Sequence, residues 1–273
     1  MKTFTQRRIR NFVLLILLCT ITLFVFQIIE LTLLVQQYYS GWLLVAVILV
    51  LMFFGVKKRL SVIPMGSNAG WAQVHYYSGL FLVFLFLIHI EFSLPNGIIE
   101  QTLALLLVLT AFVGIIGLLL SRIYARRLSH LDEQVIYERV EIHRIEIKEN
   151  LESELLKSIE RSNSSTLSSY YLEHLAAYFS QTQDRIAHLL GSNYPHRKRR
   201  AQLEQQLRYL NKEEADFVIR LLAFLEQKNT LDCHSALQGV LKFWSLLHVP
   251  IGILTSLLAG FHIVLVYAFR GAM

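Results

Sequence analysis

The sequence predicts an all-α membrane protein, with five transmembrane helices and a helical cytoplasmic insertion between the fourth and the fifth. Three observations carry that expectation. Hydrophobic residues make up 54% of the 273 positions and the mean hydropathy is +0.47, too apolar for a soluble domain of this size. The apolar residues gather into five runs, at 11–35, 41–56, 71–93, 98–121 and 243–269, each near or above the ~20 residues that cross a bilayer as a helix. Between the last two runs lies a polar stretch, 122–242, with 18 Lys or Arg and 17 Asp or Glu. The chain therefore divides into transmembrane helices one to four (1–121), an insertion (122–242) and a fifth helix (243–273).

The first run follows Lys2, Arg7, Arg8 and Arg10 as a signal peptide would, but it is long and no small-residue cleavage site follows it, so it is a retained helix. The second run is the shortest, and Tyr38, Tyr39 and Trp42 are placed to anchor its end at the interface. Leu94, Pro95, Asn96 and Gly97 form a tight turn that makes the third and fourth helices antiparallel neighbours. In the insertion, Leu151, Leu155 and Ile159, then Leu203, Leu207, Leu210, Phe217, Leu221 and Phe224 recur at helical spacing, with Ser-rich and Gly-Ser-Asn breaks at 162–169 and 191–193. Partial alternation over Val135–Ile147 leaves a strand open there.

Basic residues in short flanking loops stay on the cytoplasmic side. Lys2, Arg7, Arg8 and Arg10, then Lys57, Lys58 and Arg59, then Arg122, Arg126 and Arg127 all fall on one side of the five-helix topology, while the other side carries Glu30, Glu91, Glu100 and only Arg270 as a base. The N-terminus and 122–242 are thus expected inside and the C-terminus outside. The formal charge of +6 is a topology signal, and its distribution offers nothing to a nucleic acid. Cys19 and Cys233 lie apart, so no disulfide framework or CxxC redox pair is present, and no CxxCH occurs for covalent haem.

The most specific feature is a repeated histidine pattern. HYYSGLFLVFLFLIHI, from His75, and HVPIGILTSLLAGFHI, from His248, both read H-x3-G-x9-H-I. A histidine inside a membrane span is costly and marks function by default. Fourteen residues of helix advance about 21 Å and turn to within roughly 40° of the start, so each helix offers two imidazoles on one face at different depths. Haem ligation explains the set. The third and fifth helices run parallel, so His75 pairs with His248 around an inner haem iron and His89 with His262 around an outer one, which implies two haem b. Gly79 and Gly252, one turn after each first histidine, leave room for a porphyrin face, while Gly114 and Gly117 do the same on the fourth helix or permit close helix packing. By depth, Arg122, Arg126, Lys58 and Lys242 are candidates for the inner propionates, and Arg270 and Trp42 for the outer ones. Glu30 and Glu91, near the outer edge of the apolar region, are candidates to take a proton from a bound quinol or to cap the water interface.

The bland alternative is four core histidines hydrogen-bonded between helices. A metal other than haem would want its ligands clustered at one point. His130, His143, His174, His188, His196 and His234 lie in the insertion without ligand spacing and suit solvated or packing roles. The Cys233-His234 pair cannot close a metal site alone. The basic run His196–Arg200 is either a solvated face or a surface for anionic lipid headgroups or a partner.

These residues resemble a transmembrane di-haem cytochrome b: the two H-x13-H helices are similar to the haem-carrying helices of the cytochrome b subunit of quinol:cytochrome c oxidoreductases. That resemblance implies His75, His89, His248 and His262 as axial ligands, quinone as membrane substrate and electron transfer between two haems. The order of elements differs, and the Pro-Glu-Trp-Tyr motif of that subunit's quinol site is absent. LDCHSALQGVLKFWSLLHVPIG also resembles the stand-alone b-type membrane subunits of bacterial respiratory complexes, which implies the bacterial inner membrane, a periplasmic C-terminus, and partner subunits such as multihaem c-type cytochromes or iron-sulfur and flavin proteins. The expected function is electron transfer between the quinone pool and those partners. Alternatives are a lone transmembrane ferric or ascorbate-type reductase, and a haem-binding membrane sensor or assembly factor. No G-x-G-x-x-G stands in the insertion to bring a nucleotide.

Overall fold

The computed structural model describes residues 4–32, 34–59, 66–131, 135–162, 169–207, 210 and 212–269. It is helical throughout, with no strand among the described residues. In chain order the helices are α1 (Phe4–Leu31), α2 (Gln36–Arg59), α3 (Asn68–His89), α4 (Ile98–Leu128), α5 (Val140–Ser162), α6 (Ala176–Ser180), α7 (Arg185–Leu190), α8 (Tyr194–Gln206) and α9 (Lys212–Ala268). A 3-10 turn, Tyr137–Arg139, precedes α5 and a π-helical turn, Tyr171–Leu175, precedes α6. Five helices contain stretches long and apolar enough to span a bilayer: α1, α2, α3, α4 and α9.

Two differences from the sequence expectation concern boundaries. Helix α2 starts at Gln36, ahead of its apolar run, because Gln36, Gln37 and Ser40 are compatible with a helix although not with hydrocarbon; this brings Ser40 into a candidate span beside Gly41, the first residue of the run. Helix α9 is continuous over 57 residues, so the polarity change near 243 is a change of surroundings without a break in the backbone. Pro250 sits inside it, where its ring removes the N–H that would bond the Leu246 carbonyl.

The chain divides into two compact units, Met1–Leu118 with Ser245–Met273, and Leu119–Trp244. In the first, α3 packs chiefly on α2 and also on α1. Phe26, Leu44, Val47, Phe81, Leu85, Phe86, Ile88 and Leu107 form the core. The outside carries Phe12, Leu14, Phe24, Leu105, Phe112, Leu257 and Val264, all exposed, as expected where lipid is the solvent. Ser67 caps α3, its Oγ accepting from the Gly70 N–H at 3.2 Å. At the other end α3 stops at His89, and Glu91 (φ 51°) and Phe92 (φ 54°) reverse the chain in the left-handed region, a conformation costly for non-glycine residues. Across the bundle, the hydroxyls of Thr110 on α4 and Thr255 on α9 are hydrogen-bonded at 2.9 Å.

The second unit has its own core of Leu151, Leu155, Tyr171, Leu175, Tyr178, Phe179, Leu203, Phe217, Val218, Leu221 and Leu225. The strand left open at Val135–Ile147 is not formed: Val140, Ile147, Leu151 and Leu155 fall on one face of α5 and share that burial, which period-two pairing could not provide. Of the breaks, 191–193 separates α7 from α8, and 163–168 lies outside the described residues.

The polar centre of this unit is Lys228, 0% exposed, with Asp232, 1% exposed. The ammonium donates to Asp232 Oδ2 at 2.5 Å and to the Gln181 carbonyl at 3.0 Å, and lies 4.8 Å from the centre of the Tyr178 ring. Burial pushes the Tyr178 phenol well above its ordinary range, so it stays neutral. Removing one partner of such a pair strands the other's charge. Asp232→Ala is expected to cost about 3–5 kcal/mol, read as a loss of thermal stability of the purified protein.

Candidate functional site

Helix α3 carries His75 and His89, and α9 carries His248 and His262. The structure brings the first two together: the His75 and His248 ring centres are 6.3 Å apart with their planes at 84°. At the other end of the two helices Ser40 and Trp42, two residues apart on α2, contact His89 of α3 and Tyr267 of α9, so α3 and α9 run parallel here. A metal ~2 Å from one nitrogen of each ring would fit between rings at the His75/His248 spacing, so His75 and His248 are the residues that would hold it.

Each pair is supported by the neighbouring helices. Phe54 of α2 lies against His75, ring centres 5.1 Å apart at 37°. On α4, a Cβ added to Gly114 would meet His248 Cε1 at 3.3 Å, so the glycine is what lets the imidazole seat there. Gly41 of α2 plays that part for His89, whose Cε1 would lie 3.4 Å from an added Cβ. Next to it, Ser40 is fully buried and its Oγ is 2.9 Å from His89 Nδ1.

The Ser40 hydroxyl also stands 3.0 Å and 3.2 Å from the Gln36 and Gln37 carbonyls, which only accept; with its one proton on either of them, Oγ accepts from His89 Nδ1–H and the Nε2 lone pair is left for a metal. The Nδ1 atoms of His75 and His262 are buried without a hydrogen bond among the described residues; the closest carboxylate oxygen to His262 Nδ1 is Glu100 Oε1, at 3.8 Å.

The remaining candidates are placed as follows. No heavy atom lies within 4 Å of a Cβ built on Gly79, and only Thr110 Cγ2, at 3.9 Å, approaches one on Gly252, so both glycines border space. Arg122 and Arg126 are exposed on α4. Arg270 and the Lys58 side chain lie outside the described residues. Lys242 is committed to Glu138 at 2.9 Å and to the Tyr137 ring, and the Trp42 indole N–H donates to the Tyr267 hydroxyl at 3.0 Å. Glu30 is exposed on α1. Glu91 accepts a hydrogen bond from the Gln37 side chain. Among the described residues no three His, Cys, Asp or Glu side chains converge, so any metal here rests on pairs. In the second unit His188, His196 and His234 are buried, and His196 pairs with Glu226 at 2.8 Å.

The sequence expectation missed Ser40 and Gly41, which lie at or just ahead of the edge of the second apolar run. It also missed the Thr110/Thr255 contact, whose signal is positional: Thr255 stands seven residues from both His248 and His262. Set beside models of known families, curated proteins and solved structures, the chain matches none.

Gly114→Leu is expected to drive the His248 ring from its seat. If the pair holds haem, occupancy at that site falls about tenfold or more while the His89/His262 site keeps its own. Haem content per chain, measured by pyridine haemochrome, reads the difference.

Proposed function

We propose that the chain is a di-haem b-type cytochrome of the bacterial inner membrane, a subunit that carries electrons between the quinone pool and protein redox partners. The observation that supports this reading is the His75/His248 pair, ring centres 6.3 Å apart, on two parallel helices that each repeat a histidine fourteen residues on. An edge-to-face ring contact has similar spacing. What favours ligation is the contact of Ser40 Oγ with His89 Nδ1, which orients the ring so that Nε2 would be the ligating nitrogen, a support that core packing does not require.

In this reading His75 and His248 hold one haem, and His89 and His262 the other. Haem would supply the one-electron chemistry when bound. The chain supplies the rest. Ser40, Gly41, Gly114 and Phe54 fix the ring orientations, and the apolar bundle provides the low-dielectric surroundings that tune potential. Arg122, Arg126 and Arg270 are the cations that the sequence offers to propionates. Glu91, which accepts a hydrogen bond from Gln37, or Glu30 would receive the proton from quinol. The distribution of Lys and Arg puts the N-terminus and 122–242 in the cytoplasm and the C-terminus in the periplasm. The expected partners are further subunits of a respiratory complex, a multihaem c-type cytochrome or an iron-sulfur protein.

Anaerobic stopped-flow mixing of the purified protein with a short-chain quinol tests the electron-transfer role. Reduction of the haem absorbance on the millisecond-to-second scale is expected. Haem that takes electrons from dithionite but not from any quinol would contradict it and favour a haem sensor.

A further inference from the structure

In the second unit, Arg127 reaches from the last turn of α4 to the end of α7: its guanidinium donates to the Leu189 carbonyl at 2.9 Å and to the His188 carbonyl. Those are carbonyls of the last turn of α7, where helix carbonyls run out of helical partners; the His188 carbonyl also accepts from the N–H of Gly191, which at φ 78° turns the chain there. Arg127 lies about 10 Å along the helix beyond Leu120, where the apolar run of α4 gives way to cations. The α7–α8 turn is thereby tied to the end of a candidate membrane span.

The residues around that turn are unusual for a water-facing surface. Ile186 is 74% exposed, Leu190 80% and Tyr194 64%. Ile186 and Leu190 share a face of α7, and Tyr194 shares a face of α8 with Arg197 and Lys198. Arg126, Arg185, Arg197 and Lys198 are exposed, with no carboxylate at ion-pair distance among the described residues. The neighbouring Arg199 and Arg200, by contrast, are paired with Asp184 and Glu204. Exposed Leu, Ile and Tyr beside unpaired Arg and Lys are the composition of a surface that lies in a headgroup layer: aliphatic and phenol groups enter it while cations meet phosphate.

We propose that the α7–α8 turn is a docking surface for anionic phospholipid headgroups of the cytoplasmic leaflet, with Leu190 and Tyr194 entering the interface and Arg197 and Lys198 holding the phosphates. The inference rests on α4 crossing the membrane and is independent of haem. An acidic face of a partner protein is the competing occupant; the tie to the end of α4 favours lipid, which is present at that depth in every copy.

The test uses the full chain in nanodiscs, carrying Leu190→Cys labelled with an environment-sensitive fluorophore in a Cys19→Ala, Cys233→Ala background. In discs containing phosphatidylglycerol the label is expected to emit blue-shifted light and to be quenched by headgroup-region lipid quenchers. In phosphatidylcholine discs the docked fraction is lower, and it falls about fivefold for each cation removed in Arg197→Ala and Lys198→Ala. Arg220→Ala, which removes an exposed cation of α9 paired with Glu154 of α5, leaves the signal unchanged. Water-like emission in anionic discs, or a signal indifferent to lipid charge and to both substitutions, overturns the proposal. So does a label that becomes shielded only when a partner protein is added. Haem content measured on the same samples reports separately on the cytochrome reading.

Discussion

Substituting His248 with alanine is expected to halve the haem content, from two haem b per chain to one, and His75→Ala is expected to remove the same haem. Their ring centres are 6.3 Å apart, and a haem held by both would lose one of its two protein ligands with either. The other pair stands on different supports, Ser40 and Gly41 for His89, so the remaining haem keeps its spectrum. The double variant His75→Ala with His248→Ala should then lose no more than either single one, because the two residues act as one unit. Pyridine haemochrome and low-temperature difference spectra check this. The near-perpendicular planes, 84°, further predict that the ferric signal lost is a strongly anisotropic low-spin one.

Ser40→Ala is expected to act on the other haem only. The hydroxyl accepts from His89 Nδ1–H at 2.9 Å; without it the imidazole can rotate or take the other tautomer, which protonates the ligating nitrogen. Loss of such a supporting contact costs about 10–100-fold in affinity. The expected outcome is reduced occupancy and a shifted midpoint potential at the His89/His262 site, with the His75/His248 site untouched. Ser40→Thr, which restores the acceptor, should recover both. If Ser40 served helix packing alone, Ser40→Ala would alter thermal stability but leave the potential where it was.

Much of the site was legible in the sequence because rarity made it so. The five apolar runs contain four histidines in all, at two identical spacings, and helix geometry turns equal spacing into equal depth. What supports the histidines was harder to see. Ser40 precedes the second apolar run and Gly41 opens it, where a serine and a glycine read as the edge of a span; only the helix that continues back to Gln36 puts them against His89. The continuity of α9 was hidden for a related reason. Hydropathy changes sharply near 243, but helix propensity does not, and backbone hydrogen bonding follows the latter. At Val135–Ile147 a short window showed alternation, and the longer period through Leu151 and Leu155 overrode it once a core formed on that face. The buried Lys228/Asp232 pair had only an i, i+4 signal, indistinguishable in sequence from an exposed helix pair.

The cytochrome reading depends before all else on haem being present, two per chain and ligated by protein on both sides. The most direct measurement is a dithionite-reduced minus oxidised visible spectrum of the purified, membrane-extracted protein, with a pyridine haemochrome assay for haem b per chain. Two haem b per chain with the sharp α-bands of six-coordinate low-spin iron is the result predicted. A properly inserted, folded chain without visible absorption after expression with ample haem would contradict it, and the paired histidines would then be polar packing between α3 and α9.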